Sequence, residues 1–365
     1  MDALEKARLT INQIDDEMAE LFVRRMEACA SVAQYKKEHG LPIFNAAREE
    51  EVIRRGEARV ENDLLRGYYV NFQRGCMELS KQYQHFLLQG MRVAYSGTEG
   101  AFGHIAACKL FPTAEQVAYG DFAAAYRAVV QGECDTAVLP IENSYNGEVG
   151  QVIDLMFSGS LYVNAVLDLA VTQDLLVIPG TKRDEIKTVL SHPQALGQCA
   201  GYIRKMGWET REFGNTALAA RQVAQAGDRS VAAIASADAA RVFGLEVMER
   251  NINESRNNTT RFAVFSRADA KRTNGRMGEH FILVFTVKNE AGSLARAIDV
   301  IGQHGFNMRN LRSRPMKELL WQYYFYVEAD GNVHGEEGKR MLEDLSSFCD
   351  RLKVVGTYMI EGEPS

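Results

Sequence analysis

The first ninety residues contain almost no helix breakers. Pro42 is the only proline before Gly90, and glycines are sparse. Leu4 to His39 reads as one amphipathic helix, with Ile11, Ile14, Met18, Leu21, Ala28, Val32 and Tyr35 recurring on a three–four rhythm. HGLP at 39–42 stops it, a second helix is expected from Ala46 to about Val60, and a third from about Leu64 to Leu88. The third carries its own seam: Leu65, Tyr69, Phe72, Cys76, Leu79, Tyr83 and Phe86. Three helices of unequal length, two of them heptad-like, predict an all-helical domain that packs against a copy of itself. One residue breaks the rhythm. Between Leu21 and Ala28 the seam carries Arg25, and a buried guanidinium is costly unless an anion meets it. Lys36, eleven residues on, sits only about 20° around the helix from Arg25. Two cations facing an interior suggest a small, dry, anion-binding pocket.

The bulk numbers narrow the class. At 365 residues the chain should hold two or three domains, and 46% hydrophobic with 25% charged residues is ordinary globular composition. A net charge of -6 gives no basic field for nucleic acid. The six cysteines are scattered without a CxxC or paired histidine ligands, which argues against a zinc site and fits a reducing compartment. MDALEKARLT lacks an apolar signal core, and no run approaches the roughly 18 residues of a membrane span. A cytoplasmic protein is expected.

From Met91 the texture changes to alternating βα units. RVAY, DTAVLP running into IENS, LDLAVTQDLLVI at 167–178, IKTVLSHP, WETREFG, VAAIAS and TTRFAVFSR read as extended, with helices starting at His104, after SHP as far as Met206, at Thr216 and after VAAIAS. Two similar halves predict a two-lobed α/β domain of the periplasmic-binding-protein type with a cleft between lobes. RADAKRTNGRMGE at 267–279 reads as a linker. Beyond it, HFILVFTV, GSLARAIDVIGQHG, FNMRNLRSRP, WQYYFYVEA, EGKRMLEDLSSFCDRL and KVVGTYMI give the order βαββαβ of a ferredoxin-like α+β sandwich.

Further polar residues join the two cations of the first region. Arg8 lies 17 residues from Arg25, roughly 25 Å along one rod, so only an antiparallel second chain could bring it to the same pocket. Asn45, Arg48 and Glu49 open the second helix, and Ser80 and Gln84 form an i,i+4 pair on the third. Each has an ordinary alternative: Arg25 could snorkel at a seam edge, and Ser80 and Gln84 could be surface. The set as a whole resembles the pocket of the helical chorismate mutases across nearly all of the first 90 residues. That resemblance implies a dicarboxylate undergoing a pericyclic rearrangement without covalent catalysis. Arg8 of a partner chain and Arg25 would bind the carboxylates. Lys36 and Gln84 would hydrogen-bond the breaking ether oxygen, and Glu49 the ring hydroxyl. Asn45 stands where that family often has aspartate.

The middle region has no Ser-His-Asp order, and GTEG at 97–100 lacks the spacing of a dinucleotide fingerprint. It offers polar strand ends instead: Glu142, Asn143 and Ser144 in PIENS; Ser191, His192 and Gln194 in SHPQ; Asn215 and Thr216; Thr259, Thr260 and Arg261 in TTRF. Asn215 or Thr216 could equally be a helix cap, and a strand threonine is commonplace. In combination PIENS, SHPQ and TRF resemble prephenate dehydratase over about 91–268. The resemblance implies that Thr260 donates to a departing ring hydroxyl, with Glu142, Asn143 and Gln194 lining the pocket, and with Ser144, Ser191 and Arg261 among the residues that bind substrate. Gln173 falls where relatives can carry histidine and is given no catalytic role. His104 and His192 lie nearest the expected cleft, as cap or structural residues or as site residues.

The last region resembles the phenylalanine-sensing ACT fold. AGSL (Ala291, Gly292, Ser293, Leu294) matches the loop before its first helix, whose backbone N–H groups would meet an amino-acid carboxylate. RSRP at 312–315, with Ser313 and Arg314 expected at the effector, matches the second motif except that Arg312 replaces glutamate, which puts effector affinity in question. The alternative is a unit that only dimerises. The three resemblances form one metabolic order over 1–90, 91–268 and 280–358. On these resemblances chorismate would become prephenate and then phenylpyruvate, phenylalanine would be the effector, and the chain would be at least a homodimer. Neither metal nor organic cofactor, and neither nucleic acid nor membrane, is implied. Three rivals stay open: a non-catalytic ligand sensor, a fusion of the mutase to prephenate dehydrogenase, and a dehydratase with a dead helical dimeriser.

Overall fold

The computed structural model describes residues 2–254, 257–269, 279–316 and 321–361. It divides into two compact units, Met1–Arg92 and Val93–Ser365. Most of the linker expected at 267–279 lies outside the described residues.

The first unit is three helices: α1 (Ala3–Glu38), α2 (Ala46–Glu57) and α3 (Asp63–Gln89). Each starts on a side-chain cap. Asp2 and Glu5 form a capping box on α1, and the Asn45 and Asn62 carbonyls accept from Arg48 N and Leu64 N. Gly90 ends α3 at φ +80°. Gly56 lets α2 lie against α3, since a Cβ there would sit 2.9 Å from the Tyr69 ring. One chain does not cover its own seams. Ile11, Ile14, Met18, Leu21, Val32 and Tyr35 are all at least 43% exposed, as are Leu65, Phe72, Leu79 and Phe86, and Ala33 alone of α1 is buried among the described residues.

In the second unit β1 (Arg92–Ser96), α4 (Phe102–Leu110), β2 (Glu115–Tyr119), α5 (Phe122–Val130), β3 (Thr136–Asn143), β4 (Gly147–Glu148), α6 (Gly150–Ser158) and β5 (Tyr162–Ala170) build a first lobe. The second lobe holds β6 (Asp174–Val177), β7 (Thr188–Ser191), α7 (Pro193–Gln198), α8 (Ala200–Met206), β8 (Glu209–Glu212), α9 (Thr216–Ala226), β9 (Val231–Ala235), α10 (Ala237–Phe243) and β10 (Glu246–Glu249). β11 (Thr259–Ser266) then returns to the first sheet between β5 and β3. The run at 167–178 is therefore not one extended piece. It is two strands of different sheets, parted at 171–173. That crossing is bonded to the returning one, Val171 N to Asn258 O at 2.8 Å and Ile252 N to Gln173 O at 2.8 Å. The helix expected through Met206 is likewise interrupted, at Cys199.

The rest is β12 (His280–Val287), α11 (Ser293–Gln303), β13 (Met308–Pro315), β14 (Tyr323–Asp330), α12 (Glu336–Ser346), β15 (Cys349–Tyr358) and β16 (Ile360–Glu361). The four long strands form an antiparallel sheet ordered β13-β14-β12-β15, so the βαββαβ order is present. The helix expected to Leu352 stops at Ser346. Residues 349–352 pair with Phe285–Val287 of β12 instead, because tertiary pairing outweighs a short helical pattern. One side of this sheet packs beneath α11 and α12. From the other, Ile282, Val284, Tyr324, Val355 and Tyr358 join the first lobe's core with Met156, Val163 and Val166.

Candidate active sites

In the first unit, α1 and α3 gather Arg25, Lys36, Ser80 and Gln84. Ser80 and Gln84 are buried, at 5% and 6% exposure, so the surface alternative fails for them. Arg25 Nη1 donates to Cys76 O at 3.0 Å and contacts Ser80 Oγ. Lys36 Nζ donates to Ile43 O at 2.5 Å and Gln84 Oε1 at 3.3 Å, and Gln84 Nε2 donates to Ser80 O. Among the described residues neither cation meets a carboxylate. Two positive charges on half-buried stems are thus met by neutral oxygens alone, and an anion between them would balance both. Glu49 reaches α3 at Lys81, next to Ser80, at 3.2 Å. The other expected members point elsewhere. Arg8 stands exposed near the start of α1, Arg48 turns outward to Glu51 at 2.6 Å, and Asn45 is the cap of α2.

The second unit has a cavity of about 340 Å³ between its lobes, walled by Asn143, Gln173, Gln194, Gln198, Asn258 and Thr260. Cross-strand pairing puts Thr260 opposite Asn143. Asn143 Nδ2 donates to Thr260 Oγ1 at 2.9 Å and to Asn258 Oδ1 at 2.9 Å. Asn258 Nδ2 and Gln173 Nε2 converge on Gln198 Oε1, at 3.3 and 3.4 Å. The amide chain runs from one lobe to the other. Because Thr260 Oγ1 accepts from Asn143, its own hydrogen is left for another partner. Gln173 is 3% exposed and its Oε1 has no partner, the one such acceptor in this wall among the described residues. Gln198 and Asn258 were missed as site residues. Their signals were spacing, four residues past Gln194 on one helix and immediately before TTRF.

Four other expected members do not reach the cavity. Successive strand residues face opposite sides. With Asn143 and Thr260 inward, Glu142 and Arg261 therefore point backward toward the last sheet. Glu142 accepts from Arg312 Nη2 at 3.3 Å, and Arg261 is bidentate on Asp168 at 2.8 and 3.0 Å. Ser191 is fully buried, with Oγ on Ile234 O. Ser144 closes the end of the β3–β11 pair by donating to Asn257 O. His192 lines the cavity while its Nδ1 caps α7, and Asn215 lines it while capping α9.

His104 lies in a separate cavity of about 400 Å³. Its Nδ1 accepts from Gly100 N, so Nε2 carries the hydrogen and faces Cys108 Sγ at 3.4 Å. Burial lowers the His104 pKa and raises that of Cys108. This pair is a neutral imidazole beside a neutral thiol, unlike an activated nucleophile.

In the last sheet, Gly292 takes φ +86° before α11, and no side chain caps that helix. Ala291 and Ser293 flank it, and Leu294, in the first turn of α11, packs against the core between helix and sheet. Arg314, expected at an effector, is engaged elsewhere. It donates to Glu148 at 2.6 Å and Asp154 at 2.8 Å, and a Cβ on Gly150 would fall 2.4 Å from its guanidinium. Ser313 is exposed on β13. A further cavity, of about 740 Å³, opens between α6 and the β13–β14 end.

The comparisons with known proteins follow this division. A chorismate mutase type II model matches residues 7–85 and a prephenate dehydratase model residues 93–270. The bifunctional chorismate mutase/prephenate dehydratase of Escherichia coli is 30% identical over 97% of this chain and 95% of its own. Among solved structures, the prephenate dehydratase of Arthrobacter aurescens in complex with L-Phe has TM-score 0.68 at 25% identity, over 75% of this chain and 92% of that one. A protein described as a novel type of quorum quenching acylase has TM-score 0.69 at 30% identity, over 74% and 98%. The chain belongs to the bifunctional chorismate mutase/prephenate dehydratase family.

Proposed function

We propose that the first unit rearranges chorismate to prephenate and that the cleft of the second converts prephenate to phenylpyruvate. Arg25 grips one carboxylate of chorismate, and Arg8 of a second copy the other. Lys36, with Gln84 beside it, meets the ether oxygen as its bond breaks. No bond to protein forms. The fixed donors hold the reactive conformer and meet charge where it develops. Glu49 faces the ring hydroxyl, and Ser80 holds Arg25; Asn45 and Arg48 bind substrate only by turning from their α2 contacts. The exposed seams of α1 and α3 support a homodimer, since apolar surface on that scale is otherwise left in water.

In the cleft, the ring carboxylate leaves as carbon dioxide. Its electron pair enters the ring as the opposite hydroxyl departs, and one proton is taken up to release water. The observation that carries this reading is the 2.9 Å bond from Asn143 Nδ2 to Thr260 Oγ1, which leaves the threonine hydrogen free for a partner in the cavity. Thr260 relays a hydrogen bond to the departing oxygen; a hydroxyl of ordinary acidity does not ionise at this step. Gln194 lines the same wall. The βαββαβ unit serves as an ACT domain, with phenylalanine bound at Ala291–Leu294. The two lobes resemble a periplasmic binding protein in plan, and the enzyme works in the cytoplasm as domains 1–90, 91–268 and 280–358. Incubation with chorismate alone, with products identified over time, tests the reading. Prephenate should appear and then phenylpyruvate, while Thr260→Ala should stop at prephenate. Accumulation of neither product sinks it.

A further inference from the structure

The dehydratase strand is held from behind by a residue of the last sheet. Thr260 and Arg261 are neighbours on β11, and β11 lies between β3 and β5. Thr260 faces the cavity and Arg261 the opposite side. The β11–β3 register shifts between Arg261 and Phe262, a bulge of the kind that re-aims side chains beside reacting groups. Arg261 is clamped twice. Asp168 on β5 takes Nε and Nη2 as a bidentate pair, and Glu328 on β14 takes Nη1 at 3.3 Å.

Glu328 is an unusual group to find there. It is 1% exposed, in a region where its neighbours Ile282, Val284, Val355 and Val166 are apolar. It also accepts from the hydroxyl of Tyr358, and Tyr326 lies beside it; burial, followed by the charge of Glu328, holds both phenols protonated. Joining two sheets needs no charge, because apolar residues of similar volume do so at least as well. A carboxylate buried at this depth fixes a direction, namely where the Arg261 guanidinium sits.

We propose that Arg261 and Glu328 are positioning residues for the dehydration: the last sheet lends a carboxylate that sets the β11 backbone and so the Thr260 hydroxyl against Asn143. On this account residues 280–358 supply part of the catalytic geometry as well as any effector site, and Arg261 does not touch substrate. The proposal rests on the reading of Thr260 given above.

The test uses the full chain and follows both activities. Glu328→Gln keeps the shape and removes the charge. It should lower dehydratase kcat by about tenfold to a hundredfold, the scale of a misplacement near 1 Å, and leave KM within about twofold. Glu328→Asp should recover part of kcat. Arg261→Lys should behave as Glu328→Gln does, and the double variant should be no worse than the poorer single one, since both act through one contact. Mutase kcat, read on the same samples, should not move. Asp168→Asn, on the exposed side of the clamp, gives a milder loss in kcat if Glu328→Gln does not fold. An unchanged dehydratase kcat in both Glu328→Gln and Asp168→Asn overturns the proposal. So does a rise in KM alone for Arg261→Lys, which would make Arg261 a substrate ligand. A kcat loss matched by equal losses in melting temperature and mutase activity also overturns it. Thr260→Ala separates the two levels. Retained activity there removes the reading of the cleft itself, whereas loss there beside wild-type Glu328→Gln removes only the positioning role.

Discussion

Gly356 decides how closely the last sheet approaches the dehydratase lobe. A Cβ at that position would lie 2.0 Å from the carbonyl oxygen of Val163 and 2.8 Å from its carbon and nitrogen. Ordinary contact begins at 3.4 Å, so Gly356→Ala is short by 3.4 − 2.0 = 1.4 Å. The obstacle is backbone. Val163 is itself paired to Phe265 of β11, so it cannot swing aside as a side chain would. The strain is relieved by parting β15 from β5, and a gap of even 0.5–1 Å forfeits a quarter to a half of each dispersion contact across it. The contacts at risk include Val355 and Tyr358 against Val163 and Val166. The cost should reach the upper end for overpacking, about 3 kcal/mol. For a unit of this size that is a fall of about 6–12 °C in melting temperature. Calorimetry on the full chain reads it, with the two activities followed in parallel. The transition of the second unit should drop, dehydratase should weaken because Glu328 withdraws from Arg261, and mutase should hold. A Gly356→Ala protein with the wild-type transition and wild-type dehydratase rate would refute the close approach and the coupling built on it.

Two further outcomes are expected. Arg8→Ala and Arg25→Ala should each abolish mutase activity alone, and unfolding and refolding them together should restore about a quarter of the wild-type rate, because half the molecules become mixed dimers with one intact site of two. No recovery would place both arginines in one chain's site. Lys353 bonds Met156 O and Gly159 O at the end of α6, and burial, then Arg351, lowers its pKa from 10.5 to about 8. Between those values the unfolded chain binds the extra proton, so stability should rise with pH from 8 upward relative to Lys353→Met and stay level below 8; chemical denaturation at pH 7, 8 and 9.5 checks this, and a difference that never changes refutes it.

Much of the fold could be read from the sequence because its punctuation is local. Asp2, Asn45 and Asn62 announce the helices, and Gly90 closes the last. Arg25 was conspicuous because a charge broke an apolar rhythm, and Ser80 with Gln84 because i,i+4 spacing shares a face. The cleft was harder for a reason of geometry. PIENS and TTRF are contiguous strings, but a strand sends alternate residues to opposite sides, so reading each as a block brought Glu142 and Arg261 along with Asn143 and Thr260. Gln198, Asn258 and Gln173 come together only where the two lobe crossings run side by side. The break at 171–173 could not be seen, because both flanks are equally apolar and β-prone. Domain contacts such as Arg314 with Asp154 span 160 residues and leave no trace in local pattern.

Position 312, where the resembled motif carries glutamate, makes its contacts within this chain. Arg312 faces Glu142 at 3.3 Å and Glu148 at 3.9 Å, while Arg314 beside it takes Glu148 and Asp154. Three carboxylates thus meet two guanidinium groups where β13 crosses the β3–β4 turn. Arg312 is 44% exposed, so its attraction alone contributes about 1 kcal/mol at most. Glutamate there would exchange that attraction for repulsion. It would set four anions around Arg314 alone, and at this exposure the added repulsion is of the same order, about 1 kcal/mol. Arginine at 312 is therefore matched to Glu142 and Glu148 of its own chain, and Glu142 is the residue next to Asn143 in the cleft wall. The charge of Arg312 thus has its partners in the joint between β13 and the cleft strand.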